Sequence, residues 1–220
     1  MKGLGQDGSL TVTLLDIESQ IRRKDYSTAL ATLESRVAKT ENSNLEITHQ
    51  VKFMTLKVQI LVAAGTPQKG FSIAVRAAVK SFRARIYPSL WEAIMVLSTV
   101  LISLQEFEAS IRLLNSIMPH LLEGEDCDLA ARSFSVLADA HVGLAGKRRS
   151  ESLHYREHLS RGLESLNKAF DSFSSLEDVK GQCEMLAKKA TIMHIYSEPV
   201  LANDCAAQYL AIKKAASEQF

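Results

Sequence analysis

Cysteine, proline and glycine are all scarce in this sequence, and each scarcity argues against a class of protein. Cys127, Cys183 and Cys205 are the three cysteines among 220 residues. They are odd in number and widely spaced, with no Cys-x-x-Cys pair. That argues against a disulfide scaffold or a zinc ribbon, and for a reducing compartment. Ten glycines and four prolines, together with few alternating apolar runs, leave little turn and strand signal. No apolar run approaches the roughly 18 residues of a membrane helix. The opening Met1 to Ser9 has no hydrophobic leader core, so neither secretion nor a membrane span is expected. An excess of one charge is also missing. With 26 basic and 25 acidic residues the net charge is +1, and no global field recruits nucleic acid or acidic lipid. What remains is 46% apolar, rich in Ala, Leu, Ser and Lys, and long enough for one domain or one continuous array. The fold class expected is all-α.

A helix-turn-helix unit recurs through the chain. Lys24-Asp25-Tyr26-Ser27-Thr28-Ala29 is a polar turn, an aromatic and then a small residue opening a second helix. The same beat returns at Gln105-Glu106-Phe107-Glu108-Ala109-Ser110, and looser versions end at Gly70, Gly162 and Ala202. The small positions 29, 70, 110, 162 and 202 lie 41, 40, 52 and 40 residues apart. A fixed period in this range marks stacked supersecondary units. Such an array presents surface rather than a closed pocket, which favours binding over chemistry. Small residues are needed where helix axes approach to about 8 Å. Ala29, Gly70, Ser110, Ala138, Gly162, Ala169, Ala190 and Ala202 fit that need.

Periodicity and breakers predict ten helices in five antiparallel pairs. Residues 1–9 are expected as a flexible segment or linker, and 10–220 as the array. Leu10, Leu14, Ile17 and Ile21 share one face of the first helix, to Arg23. The second runs from Tyr26 to Lys39 with Ala29, Leu30, Leu33 and Val37 inward, followed by a polar loop over Thr40–Asn44. Leu45 to Ala64 is stopped by Gly65-Thr66-Pro67. Gln68 to Arg85 is expected to turn Phe71, Ala74, Val75, Ala78 and Phe82 inward. Tyr87-Pro88 breaks the chain again, and Ser89–Leu104 and Phe107–Leu122 follow, the latter bent or ended near Pro119. Glu123–Asp128 is an acidic loop or helix start. Leu129–Leu144 opens the fourth pair, and Lys147–His158 adds residues that extend the next helix or precede it. Gly162, Leu166 and Ala169 resume the pattern in that next helix, and Leu176–Tyr196 and Val200–Ala216 complete the count.

The register resembles the tetratricopeptide repeat. Phe134-x-x-Leu137-Ala138-x-x-His141 matches the first helix of that repeat and Gly162-x-x-x-Leu166-x-x-Ala169 the second. Within such repeats the chain is similar to the C-terminal repeat region of the anaphase-promoting complex subunit 5 family. The likeness is concentrated in Gly162-Leu-Glu-Ser-Leu-Asn-Lys-Ala-Phe170, then a helix through Ala190 and His194 and another through Asn203, Cys205, Ala206 and Lys213. It covers 160–214 most specifically, extends over 10–146 and does not reach 1–9. Family members are much longer, so the resemblance implies a fragment or a partial gene product. It also implies a non-enzymatic scaffold in the platform of a cell-cycle ubiquitin ligase. The partners expected are other protein subunits of that complex, in the nucleus and cytoplasm. No nucleic acid, membrane, small-molecule substrate or cofactor is expected.

One motif invites a different chemistry. His154-Tyr155-Arg156-Glu157-His158 spells H-x-x-E-H, the inverted zinc-peptidase signature, with two imidazoles one turn apart. It lies among Arg149, Arg156 and Arg161, where a buried catalytic helix would have apolar flanks, and no third ligand follows in context. A solvated helix face is the reading adopted. His49, His120, His141 and His194 stand singly and read as packing or surface residues. Gly3, Gly5 and Gly8 follow no strand and make no phosphate loop, and no nucleophile-elbow spacing occurs.

Charge placement is more informative. No Asp or Glu occurs from Ile47 to Trp91, whereas Lys52, Lys57, Lys69, Arg76, Lys80, Arg83 and Arg85 do. Glu92 to Gly146 holds eight acids against Arg112 and Arg132 alone. Arg76, Lys80 and Arg83 recur at helical spacing with Arg85 nearby. Three readings stay open: a solvated face, a docking surface for an acidic partner, and pairing with the adjacent acidic hairpin. Nucleic acid is disfavoured because no aromatics interleave with the stripe. The alternative to an assembly scaffold is a free-standing adaptor that holds a short peptide in its concave groove. A chaperone-tail clamp fits poorly, because Leu14 and Glu18 stand where it needs Lys and Asn.

Overall fold

The computed structural model describes residues 4–40, 46–124, 126–147, 153–196 and 198–218. Ten α-helices and no strand occur among them. They are α1 (Leu4–Arg22), α2 (Tyr26–Thr40), α3 (Ile47–Ala63), α4 (Pro67–Arg83), α5 (Tyr87–Ser103), α6 (Phe107–Glu123), α7 (Cys127–Gly146), α8 (Leu153–Ser175), α9 (Val179–Ile195) and α10 (Pro199–Glu218). Helix α1 begins at Leu4, inside the segment expected as a linker. The polar loop expected after Thr40 falls on 41–45, outside the described residues, as do 148–152 of the inserted stretch. Residues 153–158 of that stretch form the first turns of α8.

Local chemistry sets the helix ends. Pro67 and Pro199 occupy the first position of α4 and α10, and Pro88 the second of α5. There the missing N–H costs no helical hydrogen bond. Asp126 caps α7 by accepting from the Leu129 N–H at 2.9 Å, and Asp178 caps α9 by accepting from Lys180 N–H at 3.0 Å. Asp25 accepts from Thr28 N–H at 3.2 Å before α2, and hydrogen bonds from the Thr28 side chain first, then from that N–H, hold its carboxyl below the usual value. Lys24, Gly65, Arg85, Gln105 and Glu177 adopt positive φ at the helix turns. That left-handed residue lets the last N–H groups fold back onto helix carbonyls: Arg85 N–H donates to Phe82 O, and Ile86 N–H to Ser81 O. Pro119 does not end α6, which runs on to Glu123. Asn115 and Pro119 are both exposed, so the carbonyl left without its helical donor faces water.

The chain divides into two compact units, Met1–Leu104 and Gln105–Phe220. In the first, Ile17 of α1, Ala29 and Leu33 of α2, and Phe53, Leu56 and Ile60 of α3 form one buried cluster. Leu14, Ile21, Leu30 and Val37 pack against it. A second cluster joins Val51 of α3, Ala77 of α4 and Ala93 of α5. In the second unit, Ala131 and Ala138 of α7, Leu166, Ala169 and Phe173 of α8, and Met185 and Ile192 of α9 share one core.

The small-residue register is what these cores are built on. Ala29, Gly70, Ser110, Gly162 and Ala202 are all buried. Four of them sit at one place, three residues after the first residue of α2, α4, α6 and α10. Ala138 and Ala169 are buried as well, whereas Ala190 is half-buried. A Cβ added at Gly162 would meet Val142 Cγ2 at 2.9 Å, and one at Gly70 would meet Val58 Cγ1 at 3.3 Å. The facing valine side chains already occupy the space a larger residue would need at these points.

Candidate docking surface on α4

Helix α4 is oriented by its smallest residues. Pro67, Gly70, Ala74, Ala77 and Ser81 form its buried stripe, and Ser81 satisfies its hydroxyl by donating to Ala77 O at 3.0 Å. This corrects the expectation for Phe71 and Phe82, which are exposed; Ala74 is buried as expected, and Val75 and Ala78 are half-buried, Ala78 against the Val51–Ala77–Ala93 cluster. Phe71 is 41% exposed, Val79 43% and Phe82 65%. The reason is steric. Only Gly and Ala allow α4 to approach α3 as closely as Gly70 approaches Val58, so the bulky stripe, one residue out of step, is rotated by about 100° toward solvent.

The outward face that results has two halves. At about 100° per residue, Phe71, Val75, Val79 and Phe82 fall on one side. Arg76, Lys80 and Arg83 fall beside them. Val75, Arg76, Val79, Lys80, Arg83 and Ala84 line a shallow groove of about 510 Å³, whose other wall is Ile47 and Met54 of α3. Lys80 donates to the Gln50 side chain across this groove. Arg85 stands apart. It is exposed in the left-handed turn after the helix and does not line the groove.

Two cations of the basic stretch have acidic neighbours. Lys52 pairs with Glu92 of α5 at 2.8 Å, and Lys57 with Glu34 of α2 at 2.7 Å. Those two cations are matched by acids on neighbouring helices. Arg76 and Arg83 are exposed and form no ion pair among the described residues. Phe71, Val75 and Phe82 of this face are apolar residues that hydropathy alone directs to the core; Val79 completes the strip.

The H-x-x-E-H stretch begins α8 and its groups diverge. His154 is exposed, with Nδ1 3.7 Å from Glu157 Oε2. Glu157 Oε1 lies 2.6 Å from Arg161. His158 turns instead to α7, its Nδ1 3.1 Å from Nδ1 of His141, with the two rings stacked. His141 is 4% exposed, and its pKa is lowered to about 4 by burial first, then by His158 and Arg161. No group of three or more metal-ligating side chains occurs among the described residues.

No protein-family model matches the chain, and no curated protein matches it. Solved structures do. A kinesin light chain-like protein of Podospora anserina, with nearly identical TPR-like repeats, aligns at 12% identity and a TM-score of 0.62 over 96% of this chain and 97% of its own. BtubC of P. vanneervenii aligns at 11% identity and a TM-score of 0.59 over 91% and 78%. MamA of Desulfovibrio magneticus RS-1 aligns at 14% identity and a TM-score of 0.50 over 94% and 96%. At these identities the likeness carries the fold alone. The fold is all-α, a tetratricopeptide-like helical-hairpin solenoid.

Proposed function

We propose that this chain is a non-enzymatic scaffold subunit of a multiprotein assembly. One observation carries the reading. The small residues that set the hairpin register are buried, whereas large apolar residues remain exposed on α4 and α10, Val200 at 70% and Leu210 at 63%. Surfaces of that kind are characteristic of chains that are covered by partners.

The finer assignment, to a subunit 5-like platform component of the anaphase-promoting complex, rests on the sequence resemblance over 160–214. Gly162, Leu166 and Ala169 of that stretch are buried on α8, the positions where the motif needs contact residues. On this reading the partners are ubiquitin-ligase subunits and the chain works in the nucleus and cytoplasm. Native purification of the tagged chain, with quantitative mass spectrometry, tests both levels. Ubiquitin-ligase subunits at fixed ratios support the finer assignment. A different set at fixed ratios keeps the scaffold and removes the ligase.

A further inference from the structure

The exposed face of α4 combines features that seldom coincide without a ligand. Phe82, the most exposed of its four apolar residues, could have been polar at no cost to the core. Its neighbours along the helix are Val79 and Val75, which open into the groove walled by Ile47 and Met54. Arg76 and Arg83 run alongside, exposed and without an acid to meet them among the described residues. The sequence supplies no Asp or Glu from 47 to 91, so nothing local on α3 or α4 neutralises this strip.

We propose that the α3–α4 groove receives an acidic amphipathic helix of a partner protein. The proposal rests on the scaffold reading above and names the chemistry of one contact. The partner's apolar residues, at helical spacing, fill the recess between Ile47, Met54, Val75 and Val79 and cover Phe82. Its carboxylates flank that row and meet Arg76 and Arg83, whose planar guanidiniums pair with carboxylates through two hydrogen bonds each. Side-by-side apolar and basic strips demand a ligand with the same two strips, which a single amphipathic helix presents. An anionic membrane fits less well. Phe82 projects, but Met54 and Val75 are half-buried in a groove shared between two helices, where a flat lipid surface does not reach and a side chain of a partner helix does.

The probe is a fluorescein-labelled peptide of about 20 residues with Leu at helical spacing and Glu alongside, titrated with the full chain by anisotropy. Binding is expected to weaken at least about tenfold with Arg76→Glu/Arg83→Glu, or with Phe82→Ser, and to weaken with rising salt. All these positions are exposed, and thermal melts verify that the variants stay folded. A Lys-for-Glu version of the peptide should not bind. Failure of the acidic peptide to bind, equal binding by the double variant, or equal binding by the basic peptide overturns the proposal. So does sedimentation with phosphatidylserine vesicles that the double variant abolishes, because the face is then a lipid surface. Native purification of the wild-type chain separates the two levels. An intact assembly alongside a failed peptide rejects this contact alone, and a chain purified without partners rejects the scaffold.

Discussion

Gly181 of α9 lies directly beneath the ring of Phe173 of α8. A Cβ built on it would stand 2.4 Å from Phe173 Cδ1 and 2.7 Å from Asp178 Oδ2. Phe173 is buried in the α7–α8–α9 core, so its ring has nowhere to retreat. Gly181→Ala should therefore destabilise the chain by about 1–3 kcal/mol through overpacking. Gly146, the last residue of α7, has nothing within 4 Å of its Cβ position. There the same change should stabilise by about 0.5 kcal/mol, because alanine loses less backbone entropy in a helix. Gly65 also has open space but sits at φ +74°, so Gly65→Ala should cost about 1 kcal/mol from strain alone. Urea melts of the three variants check the order. A Gly181→Ala protein as stable as wild type would contradict the α8–α9 packing.

The His141–His158 contact makes a pH prediction. The folded state holds His141 neutral down to about pH 4, whereas an unfolded histidine takes its proton near 6.5. Between those values the unfolded chain binds more protons, so stability is fully present above about pH 6.5 and falls toward pH 4. The loss is on the order of 3 kcal/mol. At 3.1 Å one Nδ1 donates to the other, so His158 lies where a proton on His141 would break that hydrogen bond. His141→Phe should flatten the fall in melting temperature over this window relative to wild type. Parallel curves for both proteins would show that this histidine is not held neutral.

Zinc chemistry at the start of α8 is testable independently. Because Glu157 engages Arg161 and His158 faces His141, the purified chain is expected to carry no stoichiometric zinc. Elemental analysis giving one zinc per chain, lost on His154→Ala, would restore the peptidase reading.

Helix α10 buries Ala202 and Cys205 but leaves Val200, Leu201 and Leu210 exposed. The isolated chain should therefore self-associate at high concentration, and Val200→Ser/Leu210→Ser should reduce that association without lowering the melting temperature. Light scattering that shows a monodisperse wild-type monomer would favour the free-standing adaptor.

The sequence made the helix count and the small-residue register legible because both depend on local spacing and on Gly, Pro and capping residues. The orientation of α4 was not legible, for a specific reason. Gly70-Ala74-Ala77-Ser81 and Phe71-Val75-Ala78-Phe82 have the same helical spacing, one residue apart. Hydropathy favours the second stripe, while close approach to α3 at Val58 selects the first. Spacing alone therefore brings Arg76, Lys80 and Arg83 to one face, while hydropathy turns Phe71 and Phe82 the wrong way. The pairing of Lys52 with Glu92 and Lys57 with Glu34, and of His141 with His158, depends on which helices become neighbours. Spacing along one helix carries none of that information.

The central claim is that this chain works by holding other proteins, and the native mass of the species containing it tests that most directly. Tagged at its own expression level and analysed by native mass spectrometry from gentle extracts, it should appear in a discrete species far above the mass of the tagged polypeptide alone, with partners in fixed stoichiometry. A tagged polypeptide found alone, or in a ladder of its own multiples, would contradict the account.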